Sequence, residues 1–446
     1  MLRIDTTHAK PGMRLALPVQ NPQAPGKALL KVGYALTPQI IDRLRGYGIR
    51  SVWVQYPSLA FLEEIIDPET ARCQSEIVAN VAETFESLQR QSSAKLAYAT
   101  YTQSLKHLIE NLASHPQSML FLGDLADAAD DLMRHSSSVT YLAVLMGMKL
   151  EAYLVRERRH VSPERAKEVT NLGLGAMLHD VGIMDLEPDV RQRFDETLDE
   201  SDEAWQQHPA LGFNLVRGHV DASAATVVLN HHQHYDGTGF AGGDYPVLME
   251  RQTHVFARIT AVADQFDRLR SPANLPRQPT AWVLRAMVND PLASRFDPQA
   301  LRALVTVVPP YPPGSMVQLS DRRWAVVIDH HPDAPCRPTV QIMPEPEAMG
   351  DEDLTLGETI DLREAFGSLH VAQHDGQDVT GVNFELAETS RAGDLAAWLG
   401  PTPRAKKRGP GSSPALGLAN ITPRETASPP TPSLKQHQPR HPEQRE

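Results

Sequence analysis

The chain has 446 residues, 41% of them hydrophobic, with 43 Lys and Arg against 55 Asp and Glu and a formal net charge of −12. That length exceeds one ordinary domain, and the apolar share suffices for packed cores. The acidic balance argues against general nucleic-acid binding by electrostatics. The two cysteines, Cys73 and Cys336, sit in unrelated contexts and point to a reducing cytoplasm. Met1 to Asp5 lacks the apolar core of a signal peptide, and no run approaches the roughly 20 apolar residues of a membrane-spanning helix.

Residues 1–65 read as a small α+β module. Short apolar runs at 14–17, 29–32 and 51–54 are predicted strands. Thr37 is a predicted N-cap with Pro38 in the first turn, Ile40, Ile41 and Leu44 follow at helical spacing, and Gly48 ends the helix. Nothing in this module carries chemistry, so it reads either as packing or as a contact for signalling proteins. Residues 66–130 show helical spacing at Ile77, Val81, Phe85 and Leu88 and are expected to form a helical connector or the opening helices of the next domain. Residues 131–305 are helix-rich. After Pro309 to Gly314 the period changes, and 314–365 reads as a small β module with strands near 315–319, 324–328 and 338–342. From 400 to 446 the chain is basic and rich in Pro and Ser, a composition that cannot bury a core and is expected to be disordered. The fold class is therefore multidomain: an all-α core flanked by an N-terminal α+β module and a C-terminal β module.

The chemistry lies between 131 and 264. In chain order the residues are Asp131 and His135, His179-Asp180, His208-Pro209, His231-His232 and Asp264, each in or beside an apolar, helix-like stretch. Lone imidazoles and carboxylates are expensive to bury there. One such histidine alone reads as an ordinary core or surface residue. The ordered set, with helices between its members, reads as a pair of divalent metal ions in a hydrolase. Adjacent helical residues point about 100° apart, so a His-Asp pair serves two ions only when the Asp bridges them. Carboxylate bridges with terminal imidazoles are the usual make-up of two-metal hydrolytic sites. Asp131 stands four residues before His135, on the same helical face. His160, His219, His234 and His254 read as surface or supporting residues, and His330-His331 as a turn.

Residues 131–305 resemble the HD-GYP family of HD phosphohydrolases. His135-Ser136-Ser137-Ser138-Val139 is similar to its HSxxV motif, Leu178-His179-Asp180-Val181-Gly182 to LHDxG, and His208-Pro209-Ala210-Leu211-Gly212 to HPxxG. His231 to Phe240 is similar to HHExxDGxGY, Ala257-Arg258-Ile259 with Asp264-Gln265-Phe266-Asp267 to ARIxxxxDxFD, and Phe296-Asp297-Pro298 to the closing FDP. The resemblance implies an all-helical domain with a two-metal centre of iron or manganese that hydrolyses a cyclic dinucleotide, usually cyclic di-GMP. It carries over His135, His179, Asp180, His208, His231, His232 and Asp264 as ligands. Asp180 would be the bridge and, with His179, the catalytic pair. Asp131 stands where three-metal members have Glu, which leaves room for a third ion. Gly239, Phe240 and Arg258 are the candidate substrate contacts, Arg258 equally a structural ion-pair member.

Three departures accompany the match. The Lys three residues after the family's Asp is Ile183, HHE has become His231-His232-Gln233, and GYP has become Gly239-Phe240-Ala241. The family's basic segment is replaced by Arg268 to Arg277, in which Arg270 or Arg277 would have to compensate. The expectation is a cytoplasmic phosphodiesterase with reduced or altered activity. The alternative is a weak or inactive sensor or scaffold that binds nucleotide or partner proteins, and a homodimer is left open.

Overall fold

The computed structural model describes residues 1–386 apart from 23, 25–26, 91–95, 117–130, 198, 273–275, 290, 351 and 366–368. The basic tail expected over 400–446 lies outside the described residues.

The N-terminal region holds β1 (Leu2–Asp5), β2 (Val19–Gln20), β3 (Ala28–Leu30), α1 (Pro38–Gly46) and β4 (Ser51–Val54). Thr37 caps α1, its hydroxyl accepting from the Ile40 amide at 3.3 Å, and Ile41 and Leu44 turn inward. β1 pairs antiparallel with β4, Leu2 opposite Val54. The strand predicted over 14–17 is reduced to isolated bridges at Arg14 and Leu15. The segment exchanges hydrogen bonds with two different partners, Leu15 N with Tyr34 O and Ala16 N with Trp53 O, so no single ladder grows, and Pro18 then removes a donor.

Two helices follow, α2 (Pro68–Arg90) and α3 (Tyr98–Ser114). Cys73, Ile77, Val81 and Phe85 of α2 and Tyr101, Leu105, Leu108 and Leu112 of α3 are buried in one core with the helices that come after. They are walls of the helical domain rather than a free connector. That domain continues with α4 (Asp131–Lys149), α5 (Glu151–Glu157), α6 (Pro163–Ala166), α7 (Thr170–Leu178), α8 (Pro188–Thr197), α9 (His208–Val216), α10 (Ala222–Asn230), α11 (Val255–Arg270), α12 (Thr280–Met287) and α13 (Pro298–Val307). α7 packs against α4 and α10, and α11 lies across α4, so these four helices form its centre. No single described helix is long and apolar enough to cross a membrane.

The C-terminal region is one six-stranded antiparallel sheet of β5 (Met316–Leu319), β6 (Trp324–Asp329), β7 (Thr339–Ile342), β8 (Thr359–Asp361), β9 (Val371–His374) and β10 (Gln377–Asp378). Its order is β10-β9-β5-β6-β7-β8, so it extends past 365. Val317, Leu319, Ala325 and Val327 close one face with Tyr311 and Val340. On the other face Val326 joins Met343, Met349 and Leu354 in a core with Leu2, Ile4, Leu15, Val52 and Val54. Arg3 N also donates to Gly314 O at 2.8 Å. The two ends of the described chain thus share one apolar interior.

Candidate metal centre

Each helix delivers its member of the cluster by a different local device. Eight of the nine residues of α7 are buried, because Leu172, Leu174, Ala176, Met177 and Leu178 leave it no polar face. His179 follows as its C-cap, and Asp180 turns the chain into a 3-10 segment, Val181–Asp185. The two side chains therefore leave from a bend, which lets both aim inward. Gly182 makes the next contact. A Cβ there would stand 2.0 Å from His208 O and 2.4 Å from Gly212 N, and a Cβ on Gly212 would stand 3.0 Å from Gly182 N. The two glycines let the 3-10 segment touch α9 backbone to backbone, which brings Asp180 beside His208. Gly175 does the same for α10, where a Cβ would meet Val227 at 2.6 Å and Ala224 O at 2.9 Å. Asp221 caps α10 by accepting from Ser223 N at 2.9 Å, and His231 and His232 emerge from the opposite end.

Asp180 is the middle of the cluster. Its Oδ1 lies 3.4 Å from His208 Nε2 and 3.5 Å from His231 Nε2. Its Oδ2 lies 3.4 Å from His179 Nε2 and 3.6 Å from His135 Nε2. Asp264 Oδ1 completes the second group, 2.9 Å from His135 Nε2 and 3.7 Å from His179 Nε2. One carboxylate is thus divided between two sets of imidazoles. Asp180, His208, His231 and His232 form one group able to hold an ion, and His135, His179 and Asp180 form another.

The donor set fits divalent metal. The Nδ1 atoms of His179, His208 and His231 meet the carbonyls of Ala176, Trp205 and Val228 at 2.7, 2.8 and 2.9 Å. A proton donated there leaves each Nε2 facing the cluster. His135 Nδ1 is held instead by Asp267 Oδ2 at 2.8 Å. The Nε2 atoms of His208 and His231 are 3.3 Å apart, a spacing at which two lone pairs repel unless a cation lies between them. Asp180 Oδ1 and His232 Nε2 are buried without a hydrogen-bond partner. Burial pushes His208 down to about 3 and lowers His231, and burial with the adjacent rings of His231 and His208 takes His232 well below its ordinary range. All three are neutral at neutral pH, the state in which imidazole binds metal. A mixed imidazole and carboxylate set of this kind suits iron, manganese or zinc.

The second group differs because Arg268 reaches it. Its Nη2 donates to Asp180 Oδ2 at 2.7 Å and its Nε to Asp264 Oδ1 at 2.7 Å. Burial works against charge on Asp180 and Asp264, but His179 and Arg268 on the first and Arg268 on the second hold both carboxyls well below their usual range. Burial likewise opposes a charged His179, yet Asp180 and Asp264 outweigh it and lift the ring to about 10. Without metal this half keeps its own positive charge, a proton and a guanidinium. Arg268 stands four residues after Asp264 on α11, and that i, i+4 spacing was the signal in the sequence. Glu200, which sequence reasoning also passed over, lies 3.9 Å from Arg295, and burial raises its carboxyl above the ordinary value despite the pull of Arg268.

Other expected site residues lie elsewhere. Asp131 is exposed and 3.5 Å from Arg134 Nε, because its place in the first turn of α4 points it outward; it does not join the cluster. Arg258 is buried, pairs with Asp297 and with Glu157 at 2.6 Å, and donates to Tyr153 Oη at 2.7 Å. It ties α11 to α5 and α13, the structural alternative to a substrate contact. Gly239 has a packing role, since a Cβ would stand 2.1 Å from His232 O. Phe240 lies flat on His232, ring centroids 4.7 Å apart and planes at 15°. Ile183 is buried in an apolar cluster with Phe194 and Trp205. Gln233 donates to Pro246 O at 3.0 Å and accepts from Leu248 N at 2.9 Å. A carboxylate could not make both bonds, which accounts for Gln at this position. His254 caps α11 and His234 bonds Thr238, both supporting roles.

Comparison with known proteins agrees with this geometry. Residues 142–300 match the HD domain, and 316–366 match a KOW domain associated with HD domain. A cyclic di-GMP phosphodiesterase of Pseudomonas aeruginosa is 28% identical over 295 residues, covering 64% of this chain and 65% of that protein. A cyclic di-GMP phosphodiesterase response regulator of Xanthomonas campestris is 31% identical over 169 residues, covering 36% and 42%. This chain is a member of the HD-GYP family. It spans less than two thirds of the length of either relative. Among solved structures, an HDG"Y"P protein from Bdellovibrio bacteriovorus aligns at a TM-score of 0.40 and 16% identity, covering 68% of this HD-GYP chain and 97% of the other. The helical HD core and the β sheet behind it are the parts of the expected architecture that these matches cover.

Proposed function

We propose that this HD-GYP chain is a metal-dependent phosphodiesterase that hydrolyses a cyclic dinucleotide, cyclic di-GMP first, in second-messenger signalling in the cytoplasm. The observation that carries the reading is the Asp180 carboxylate divided between two sets of imidazoles. His208, His231, His232 and Asp180 Oδ1 would hold one ion. His135, His179, Asp264 and Asp180 Oδ2 would hold a second, iron or manganese in each case. Bound divalent ions would supply a hydroxide nucleophile at neutral pH and offset phosphoryl charge. The chain's own groups serve the rest. Phe240, flat against His232, is a wall for a ribose or base. Arg268 is a cation at the cluster, where Ile183 offers none, and is placed to meet a phosphate oxygen. Glu200, its carboxyl raised by burial, is suited to give a proton to a leaving alkoxide.

A second reading rests on a specific observation. Arg268 already occupies both carboxylates of one half-site, as it would in a chain that binds the nucleotide without cleaving it. One experiment separates the two. Protein purified without oxygen and loaded with iron or manganese is assayed with cyclic di-GMP beside a His179→Ala, Asp180→Ala control. Linear product formed well above the control supports the enzyme, and saturable binding with no product supports the sensor.

A further inference from the structure

A separate group of metal-ligating side chains lies on α2 and α3, neither of which carries any residue of the cluster around Asp180. Glu69 and Cys73 stand four residues apart on α2 and so share one face, and α3 lays His107 against that face. A carboxylate oxygen of Glu69, the Cys73 sulfur and a ring nitrogen of His107 all lie within 4.8 Å of one another. His107 Nδ1 is 3.8 Å from Cys73 Sγ and 3.6 Å from Glu76 Oε2, and its Nε2 is 3.6 Å from Glu69 Oε1. Around a tetrahedral zinc with bonds of about 2.0–2.3 Å, neighbouring donor atoms stand roughly 3.3–3.8 Å apart. Whichever ring nitrogen ligates, the other is left facing a carboxylate, a usual partner of a metal-bound histidine. Asn111, one turn further along α3, locks the register of the two helices. Its Nδ2 donates to Asp67 Oδ2 at 3.2 Å, and its Oδ1 accepts from Thr70 Oγ1 at 2.8 Å.

Two simpler readings leave part of this arrangement unexplained. Arg72, itself exposed, donates through Nε to both oxygens of Glu69 at 2.8 and 3.0 Å and pairs with Glu76. A surface ion pair accounts for those three residues, but not for a buried cysteine that faces an imidazole between the two carboxylates. A nucleophilic cysteine is disfavoured as well. Burial, with Glu69 and Glu76 beside it, pushes the Cys73 thiol up to about 12, the opposite of what a reactive thiolate needs. A cation reconciles the parts. With Cys73 ionised beside two glutamates and Arg72, a divalent ion brings the group to neutrality. One thiolate, one imidazole and one carboxylate are a donor set that suits zinc.

We propose that Glu69, Cys73 and His107 form a second metal site, for zinc, that pins α2 to α3 and is separate from the centre around Asp180. The ion takes the place of the Cys73 proton, which leaves to solvent, and water completes its coordination. The half-exposed sides of Glu69 and His107 give it a way in.

The test uses the full chain, reduced and stripped of metal by chelation, and titrated with cobalt(II) as an optical surrogate for zinc. A thiolate ligand gives a sulfur-to-cobalt charge-transfer band in the near ultraviolet. The centre around Asp180 contains no sulfur, so this readout does not depend on the phosphodiesterase reading. Expected is a band that saturates with cobalt, is bleached by zinc and is lost in Cys73→Ser. Cobalt affinity read from the band should fall at least tenfold in His107→Ala and in Glu69→Gln, both half-exposed positions whose change spares the core. The band should persist in Cys336→Ser and in a His231→Ala, His232→Ala variant. The proposal is overturned if no such band forms, if zinc fails to bleach it, if it survives in Cys73→Ser, or if either His107→Ala or Glu69→Gln binds cobalt like the parent.

Discussion

At the scale of single residues, Asp180 and Arg268 bear on how many ions the cluster could hold. Both oxygens of Asp180 are committed, one to each set of imidazoles. Asp180→Asn is expected to abolish binding of both metal equivalents, whereas His232→Ala removes one, and elemental analysis of the purified variants counts them. The two halves also differ in pH response. His208, pushed down to about 3, is neutral well into acid, and burial lowers His231 as well, so protons compete little with an ion on their side at neutral pH. His179, lifted to about 10, must release a proton before it ligates. Affinity on that side should rise by about tenfold per pH unit through neutral pH. Arg268→Ala removes the competing guanidinium and is expected to tighten manganese there at least tenfold; a calorimetric titration at pH 7 that shows no change would contradict this. The residues of the cluster were legible in the sequence because several imidazoles at the ends of apolar helices are costly to bury unless a cation gathers them. Arg268 was passed over although it stands four residues after Asp264, because a guanidinium reads as a surface group until the fold aims it inward. Asp131 misled for a related reason: the i, i+4 relation to His135 places two residues on one helical face, but a first-turn side chain next to Arg134 turns to it instead.

Among elements, the glycines set the geometry. The contact of the 3-10 segment with α9 exists only because Gly182 and Gly212 have no side chains. Gly182→Ala places a methyl 2.0 Å from the His208 carbonyl, so α9 must retreat. Overpacking of this kind costs about 1–3 kcal/mol. The variant should melt at a lower temperature and bind metal more weakly through displacement of His208, with the cysteine and tryptophan environments elsewhere unchanged. The motif glycines were visible in the sequence, but which backbone each one faces was not, since that needs the crossing of two helices separated by a loop. The helices over 66–114 show the same limit. Their apolar spacing predicted helix correctly, yet only the packing of Leu105 and Phe85 against α4 and α7 shows that they belong to the HD core.

Across the whole molecule, the shared interior of the two ends is what sequence reading could not reach. The N-terminal module and the β module each read as separate units, and nothing local to either reveals that Val326 packs among Leu2, Ile4 and Val54. Val326→Asp buries a charge with no partner between them. We expect it to open the N-terminal module to limited proteolysis before residue 66, while the helical domain remains resistant and keeps its metal content. Cleavage at the parental rate would show that the N-terminal module does not depend on the sheet.

The same shared interior has a consequence for how the chain is made. The first 54 residues leave the ribosome long before Val326 to Leu354, which complete their core, have been synthesised. At about 5–20 residues per second the interval is roughly 15–60 s. During that time Leu2, Ile4, Leu15 and Val54 stand without the covering that Val326, Met343, Met349 and Leu354 provide, and the helical domain must fold inside a loop whose ends have not yet met.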